Sequence, residues 1–437
     1  MIGTGARAVP NEDSKLKLDV QIGGRTYPIG EGRLTQLRFF ETSTYMAPMA
    51  ELSLEDRGDW LTEIMPLTGT ELVRLSIPDV VRKDGKQEMQ EHSFRIHRAI
   101  ATRSSSDSHL IKLYLISDVA LPLLDRARFK SYASMKISDV VAAIALDVGL
   151  ESEIEETDAQ TFDMFCPGWN YAQMIAWLAD RARSAKYQTC GYLYFIDRDG
   201  TLRFMSPESV KNQKPALTLT SKDMRDTSEY NEGDAVQGPY RAFYNSMQMG
   251  VQGALGVTGS WFSFEEAEFK EYPTTIDGSD EGESVTGGWT DYERSSVAGT
   301  QLQGTADRVS VRLAEVASRS VMLTCPVAVN AQSEEFERAR AESVLLRAAN
   351  SLVKFEVLTD GDLRVRAGTV VVLQVNSPLP QAVINQTFSG RWVVERVTHQ
   401  LMPRFVTKMM LYRSGVGGYD GVDLVQPPGG FVDVERR

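Results

Sequence analysis

The chain has 437 residues, enough for roughly two to four domains. A hydrophobic content of 42% and a charged content of 24% are ordinary for a globular protein, and no apolar run of about 18 residues exists to form a membrane-crossing helix. A net charge of −12 excludes general affinity for nucleic acid, which needs clustered Lys and Arg against phosphate; an acidic surface suits DNA that slides past, although solubility alone explains the charge equally well.

Met1 to Pro10 has no apolar core of signal-peptide length, so a cytosolic protein is expected. Residues 1–14 read as a flexible arm. Leu16 to Ile22 alternates apolar and polar residues, meets Gly23-Gly24, and resumes at Arg25 to Ile29, which is a β-hairpin signature. The strand pattern continues over Leu34–Thr42, Met49–Leu54 and Leu72–Ile77, and then over 93–101 and 109–117. About six strands predict a small antiparallel barrel or sandwich.

After residue 130 the period changes. Ser138 is the expected N-cap of a helix over 139–148, with Gly149 as its C-cap. A second helix starts near Asn170 and places Tyr171, Met174, Ile175, Leu178, Ala179 and Ala182 on one buried face. Gly191–Ile196 and Thr201–Met205 flank Asp197-Arg198-Asp199-Gly200, a hairpin with Asp-Gly at the turn. In 216–330, short strands are expected at Ala216–Thr220 and Ser320–Leu323. Residues 277–304 are rich in Gly, Ser, Thr and Asp and read as a long exposed loop. Ser333 caps a helix running to about Leu352, with Glu334 and Glu335 in its first turn. Strands follow at Phe355–Leu358, Val365–Leu373, 392–398 and 406–412, with a Gly bend at Gly368. From Gly415 the tail is too poor in apolar residues to form a core alone.

Chemistry-bearing motifs are scarce. Cys166, Cys190 and Cys325 are odd in number and widely spaced, so they predict buried thiols and neither zinc nor a disulfide framework. His92, His97, His109 and His399 lie in or beside strands, and no two share a helical face at metal-ligand spacing. Asp197-Arg-Asp199-Gly200 resembles the start of a calcium loop, with Glu208 at position twelve. Strand residues Leu202, Phe204 and Met205 fill the interval, however, so a turn is expected. Glu51, Glu55 and the acids of 151–156 offer carboxylate pairs, yet glycoside cleavage needs two held across a groove, which sequence proximity does not supply. No catalytic, cofactor-binding or metal-binding residue is assigned, and no cofactor is expected.

One pattern occurs twice, about 300 residues apart. Phe94-Arg-Ile96-His-Arg98-Ala-Ile100 is followed by Ile111-Lys112-Leu113-Tyr114-Leu115. Trp392-Val-Val394-Glu-Arg396-Val-Thr398 is followed by Thr407-Lys408-Met409-Met410-Leu411. Each copy is an aromatic-led strand with Arg four residues on, then a second strand led by Lys. Two similar β domains in one chain are expected.

Several stretches then resemble the baseplate hub of contractile-tailed phages, the group of late control protein D and the N-terminal part of VgrG-type spike proteins. Lys136-Ile-Ser138-Asp-Val-Val-Ala-Ala-Ile144-Ala is similar to that family's short helix after its first barrel. Trp169-Asn-Tyr171 to Ala182 is similar to its second helix, which precedes an aromatic hairpin ending in Asp-Gly, here Tyr192–Met205. Phe355-Glu-Val357, Gly361-Asp362, Arg366-Ala-Gly368-Thr-Val370-Val, Gly390-Arg391-Trp392-Val-Val394 and Val397-Thr-His399 resemble its second tube domain. The resemblance covers most of 90–205 and 331–415.

It implies a mainly β fold with α+β inserts: two barrel-like tube domains plus peripheral domains. The implied domains are 1–130, arm and first tube barrel; 131–215, an α+β insert; 216–330, a second peripheral domain with the loop 277–304; 331–415, the second tube barrel; and 416–437, an extended tail. The implied function is that of a non-enzymatic structural hub: a homotrimer forming a pseudo-six-fold ring between the hexameric tail tube and the trimeric central spike. Implied partners are other copies of the chain, the tail tube protein, the central spike protein, baseplate wedge proteins and the tape measure protein. DNA would only pass through the lumen, and no membrane is involved. The implied location is the tail baseplate of the virion, assembled in the host cytoplasm. Competing interpretations are the hub of a phage-derived injection or secretion machine, a tail-associated cell-wall-degrading enzyme hidden in 216–330, and a small-molecule-binding β protein.

Overall fold

Alternating apolar residues put about half of the described residues into strands, and fourteen of the described strands join one sheet. The computed structural model describes residues 17–22, 25–28, 33–44, 47–57, 61, 67–78, 89–103, 108–221, 234–236, 241–244, 256–263, 268–275, 321–323, 333–350, 353–375, 388–402 and 405–413. The arm 1–14, the Gly23-Gly24 turn, the loop 277–304, Cys325 and the tail 416–437 lie outside the described residues.

The first strands are β1 (Lys17–Ile22), β2 (Arg25–Pro28), β3 (Leu34–Thr42), β4 (Met49–Arg57), β5 (Leu72–Pro78), β6 (Met89–Arg103) and β7 (Ser108–Ser117). They pair antiparallel in the order β3-β4-β7-β6-β5-β1-β2. Every second residue faces one core: Leu37 and Phe39, Leu52 and Leu54, Leu113 and Leu115, Val73 and Leu75, and Val20 are all buried in it. Strand β3 at one end and β1 near the other share that core, so the sheet curls around it.

The insert holds β8 (Ser131–Met135), β9 (Ser152–Ile154), β10 (Phe162–Phe165), β11 (Leu193–Ile196) and β12 (Leu202–Met205). Two helices, Ile137–Val148 and Tyr171–Ala179, pack among them. The first helix starts earlier than the sequence predicts. Lys136 is its N-cap, and Ser138 lies inside the first turn, where its N–H donates to Thr157 Oγ1 at 3.1 Å. A hydroxyl remote in sequence supplies the acceptor that a local cap would have given. Gly149 ends the helix in the left-handed region at φ 72°, as expected. Asn170 caps the second helix in a reciprocal pair with Gln173.

The remaining strands are β13 (Leu217–Ser221), β14 (Asp234–Val236), β15 (Arg241–Tyr244), β16 (Gly256–Ser263), β17 (Glu268–Thr275), β18 (Val321–Leu323), β19 (Val353–Asp360), β20 (Val370–Gln374), β21 (Gly390–Met402) and β22 (Val406–Arg413). The pairings β13–β20, β20–β21, β21–β22, β22–β19, β19–β14 and β14–β13 close a ring. Phe355, Val357, Leu373, Trp392, Val394, Met409 and Leu411 fill its interior. Strands β13 to β15 thus come from 216–330 but bond to strands of 331–415. The helix Ser333–Asn350 packs on the insert instead: Phe336 meets Phe162 edge-on at 5.0 Å, and Ser343 Oγ donates to the Asp180 carbonyl at 2.6 Å. The expected strand Val365–Leu373 begins only at Val370. The segment before it turns at Gly368 (φ 74°), and its carbonyls serve another purpose described below.

The sequence repeat is also a repeat of register. Between β6 and β7, Ile96 faces Leu115, His97 is bulged out, and Arg98 faces Tyr114. Between β21 and β22, Val394 faces Leu411, Glu395 is bulged out, and Arg396 faces Met410. The flanking strands match as well: β5 sets Val73 against Phe94, and β20 sets Val371 against Trp392. On the other side, β4 sets Glu51 against Tyr114, and β19 sets Glu356 against Met410. Even the diagonal ion pair recurs, Lys112–Glu51 at 2.6 Å and Lys408–Glu356 at 2.8 Å. A bulge shifts the inward phase by one residue. Coincidence at the same position in both copies marks one four-strand unit used twice.

Candidate functional site

The two β units meet at a seam where β3 pairs antiparallel with β21. Thr42 faces Arg396, Phe40 faces Thr398, and Phe39 faces His399. Leu401 and Leu363 of the second unit lie in the core of the first. Two polar residues sit in the apolar phase of these strands: Glu41 follows Leu37 and Phe39, and His399 lies between Val397 and Leu401. Glu41 is 3% exposed and His399 is 0% exposed. Burying such groups is costly unless they are fully paired.

The partner comes from the insert. The tip of the β11–β12 hairpin carries Arg198 into the seam. Its Nε donates to Glu41 Oε1 at 2.7 Å, and Nη2 donates to the same oxygen. Nη1 donates to the Leu363 carbonyl at 2.7 Å, and Nη2 also reaches the Val365 carbonyl at 3.2 Å. Both carbonyls belong to the segment that precedes Val370 and turns instead of extending the strand. His399 Nε2 lies 2.8 Å from Arg198 Nη2 and 3.7 Å from Glu41. A guanidinium only donates, so Nε2 is the acceptor and Nδ1 carries the proton. Nδ1 then donates to Thr407 Oγ1 at 3.0 Å, and that hydroxyl also accepts the Asp362 N–H at 2.9 Å.

Charge follows from this packing. Burial alone would push the Glu41 carboxyl up, but the Arg198 charge and its hydrogen bonds outweigh it and hold the carboxyl at about 2. Burial, with the Arg198 charge, keeps His399 below its usual value against the opposing pull of Glu41. His92, whose ring lies 5.5 Å from Phe39, is pushed down to about 4, first by burial and then by Arg198. The seam therefore holds one ionised pair and neutral histidines at neutral pH.

The rest of the hairpin tip is equally engaged. The Asp197 carboxylate accepts the N–H groups of Asp199 and Thr201 and the Nε of Arg203. Asp199 accepts from Gln90 of β6 at 2.9 Å and from Arg366. Gly200 turns at φ 87°. The Asp-Arg-Asp-Gly run is thus a hairpin turn, as expected; Asp197 braces the turn itself, while Arg198 and Asp199 tie the insert to both β units. Glu208 lies away from it on the short helix Pro207–Lys211 and accepts from Thr189 Oγ1 at 2.5 Å. Among the described residues, no cluster of His, Cys, Asp and Glu fits a metal ion.

Most of the other carboxylates considered from the sequence have a structural partner. Glu51 pairs with Lys112, Glu55 with Arg57, and Glu156 with Lys136, while Glu155 accepts from Ser184 and Ser206. His97 is the exposed bulge of β6. The Arg198–Glu41–His399 cluster was not assigned from the sequence. Its signal was there, as two polar residues occupying core positions of alternating strands.

Comparison with solved structures gives the fold a context. The 43 kDa tail protein of prophage MuSo2 from Shewanella oneidensis aligns over 92% of this chain and 99% of its own length, with 10% identity and a TM-score of 0.55. The tail protein from Neisseria meningitidis MC58 aligns over 92% and 98%, with 9% identity and a TM-score of 0.53. No family model matches the chain, and no curated protein does. At such identity the likeness concerns the fold. The mainly β fold with helical inserts expected from the sequence is the fold this chain has, and it is similar to that of these two tail proteins.

Proposed function

We propose that the chain is the structural hub of a contractile phage-tail baseplate. Three copies form a ring of six similar β units, with the hexameric tail tube on one face and the trimeric spike on the other. The observation that carries this is the repeated register: two units with the same bulge, the same pairing and the same ion pair stand side by side in one sheet. A chain that presents two equivalent units head to tail has half-solved a symmetry mismatch, because three chains then offer six edges. In this proposal 1–130 and 331–415 supply the tube domains, with β13 to β15 contributed by 216–330. The insert 131–215 braces each pair from outside, and with the rest of 216–330 it faces wedge proteins. The tape measure protein and the DNA occupy the lumen without specific contact. The role is non-enzymatic, and its place is the virion tail, built in the host cytoplasm.

Light scattering on the purified chain tests the ring. A mass of three times 48.6 kDa, with six lobes around a pore in averaged electron micrographs, is expected. A single-copy mass that persists at high concentration would overturn the proposal. Release of soluble fragments from peptidoglycan by the purified chain would overturn the non-enzymatic role.

A further inference from the structure

The seam inside the chain defines the seam between chains. In the second unit, the far half of β21 from Arg396 to Met402 is covered by β3, and Val397, His399 and Leu401 are buried there. The matched stretch of β6 runs from Arg98 to Thr102. It pairs with β7 on one side, and among the described residues no strand lies on the other. Ala99 and Ala101, which occupy the places of Val397 and His399, are exposed. The first unit therefore has an open edge at the position where the second unit has a filled one.

The complementary edge is at the other end of the sheet. Strand β3 borders β4 with Arg38 facing Glu51 and Phe40 facing Met49. In the second unit, the strand bordering β19 in the equivalent way is β15. There Arg241 faces Glu356 and Phe243 faces Lys354, so Arg241 matches Arg38 and Phe243 matches Phe40. Strand β15 ends the order of the sheet among the described residues, and Phe243 is 37% exposed, an apolar ring on that edge. Open edges of this kind are templates for strand addition.

Resting on the ring proposed above, we infer that β15 of one copy pairs antiparallel with β6 of the next, in the register that β3 and β21 keep within the chain. That register sets Ile100 opposite Phe243, Ala101 opposite Ala242, and Thr102 opposite Arg241. The matched pairs inside the chain are Thr398 with Phe40, His399 with Phe39, and Gln400 with Arg38. The contact is heterologous: each copy offers one edge and receives the other, which makes rings when the rotation closes.

Paired cysteines test it in the full-length chain. Residues directly opposite in an antiparallel pair have Cα atoms about 4.5–5.5 Å apart, within disulfide range. Ala101→Cys with Ala242→Cys, or Ile100→Cys with Phe243→Cys, should link copies into covalent rings on mild oxidation with diamide. The off-register pair Ala101→Cys with Phe243→Cys should not; all pairs are made together with Cys325→Ser, so that the remaining native thiols are Cys166 and Cys190, both buried. Separately, Ala101→Lys adds a charge at a position exposed in the single chain. It should weaken association at least tenfold while leaving the circular dichroism of the chain unchanged. Rings that form normally with no link from either in-register pair, and with Ala101→Lys still assembled, would overturn this edge while the ring itself stands. A chain that stays single and never links overturns both.

Discussion

Arg198 is the residue on which the seam turns, and Arg198→Ala is its sharpest perturbation. The substitution removes the two guanidinium bonds to Glu41, the bonds to the Leu363 and Val365 carbonyls, and the donor to His399 Nε2. Breaking a buried pair by removing one partner costs about 3–5 kcal/mol, because the other charge is left uncompensated. The effect should localise to the seam, where amide exchange of Phe39–Thr42 and Arg396–Gln400 reads opening directly. A loss of about 4 kcal/mol corresponds to roughly a thousandfold loss of protection. The pH dependence should also invert. In the native chain the Glu41 carboxyl is held at about 2, below its ordinary 4.5, so its contribution is complete above pH 4.5 and lost as pH falls toward 2. Without Arg198, burial pushes the same carboxyl up, so the variant is relieved, not harmed, as pH falls from 7 toward 5. Adding Glu41→Gln should recover much of the loss, since a neutral amide needs no counter-charge. Seam amides in Arg198→Ala within about tenfold of wild type would refute the assigned role.

Three further outcomes are expected. His92 is pushed down to about 4 from 6.5, so the unfolded chain takes up the proton first. Stability should therefore fall by up to about 3 kcal/mol between pH 6.5 and 4, and His92→Phe should flatten that limb in urea melts run across pH; an unchanged limb would remove His92 as the cause. Trp392 is 1% exposed, with its Nε1 donating to the Phe388 carbonyl at 2.9 Å, so Trp392→Ala should cost about 3–5 kcal/mol in a urea melt, and no shift would contradict the core position. Gly368→Ala combines φ 74° with a Cβ only 2.3 Å from Phe195 Cζ, and should cost about 2–4 kcal/mol by the same measurement.

Local pattern reached far into this protein. Period-two alternation located β3 to its terminal residues and placed β1, β4, β5, β6, β7, β21 and β22 closely, because a half-buried strand must write its burial into every second residue. The repeat was legible for the same reason, since the aromatic, Arg and Lys positions that mark it lie in two consecutive strands, whereas the shared bulge and the Lys–Glu diagonal emerged only from the sheet register. Glycine at 149 and Asp-Gly at 199–200 announced a helix end and a turn through backbone geometry alone.

What the sequence could not decide was where remote groups meet. Thr157 receives the N–H of Ser138 inside a helix that starts at Lys136, a hairpin tip binds the Leu363 and Val365 carbonyls ahead of Val370, and β13 joins β20 in parallel across about 150 residues of chain. The seam is the clearest case. Glu41, Arg198 and His399 stand about 160 and 200 residues apart, and each alone is a polar residue in a strand or turn. Their pairing, the suppressed charge of His399 and the choice of β21 as partner for β3 follow from burial and directional hydrogen bonding, which act only once the folded chain has excluded water from that junction. Alternation fixed which residues point inward; tertiary structure alone decided which of them share the same dry space.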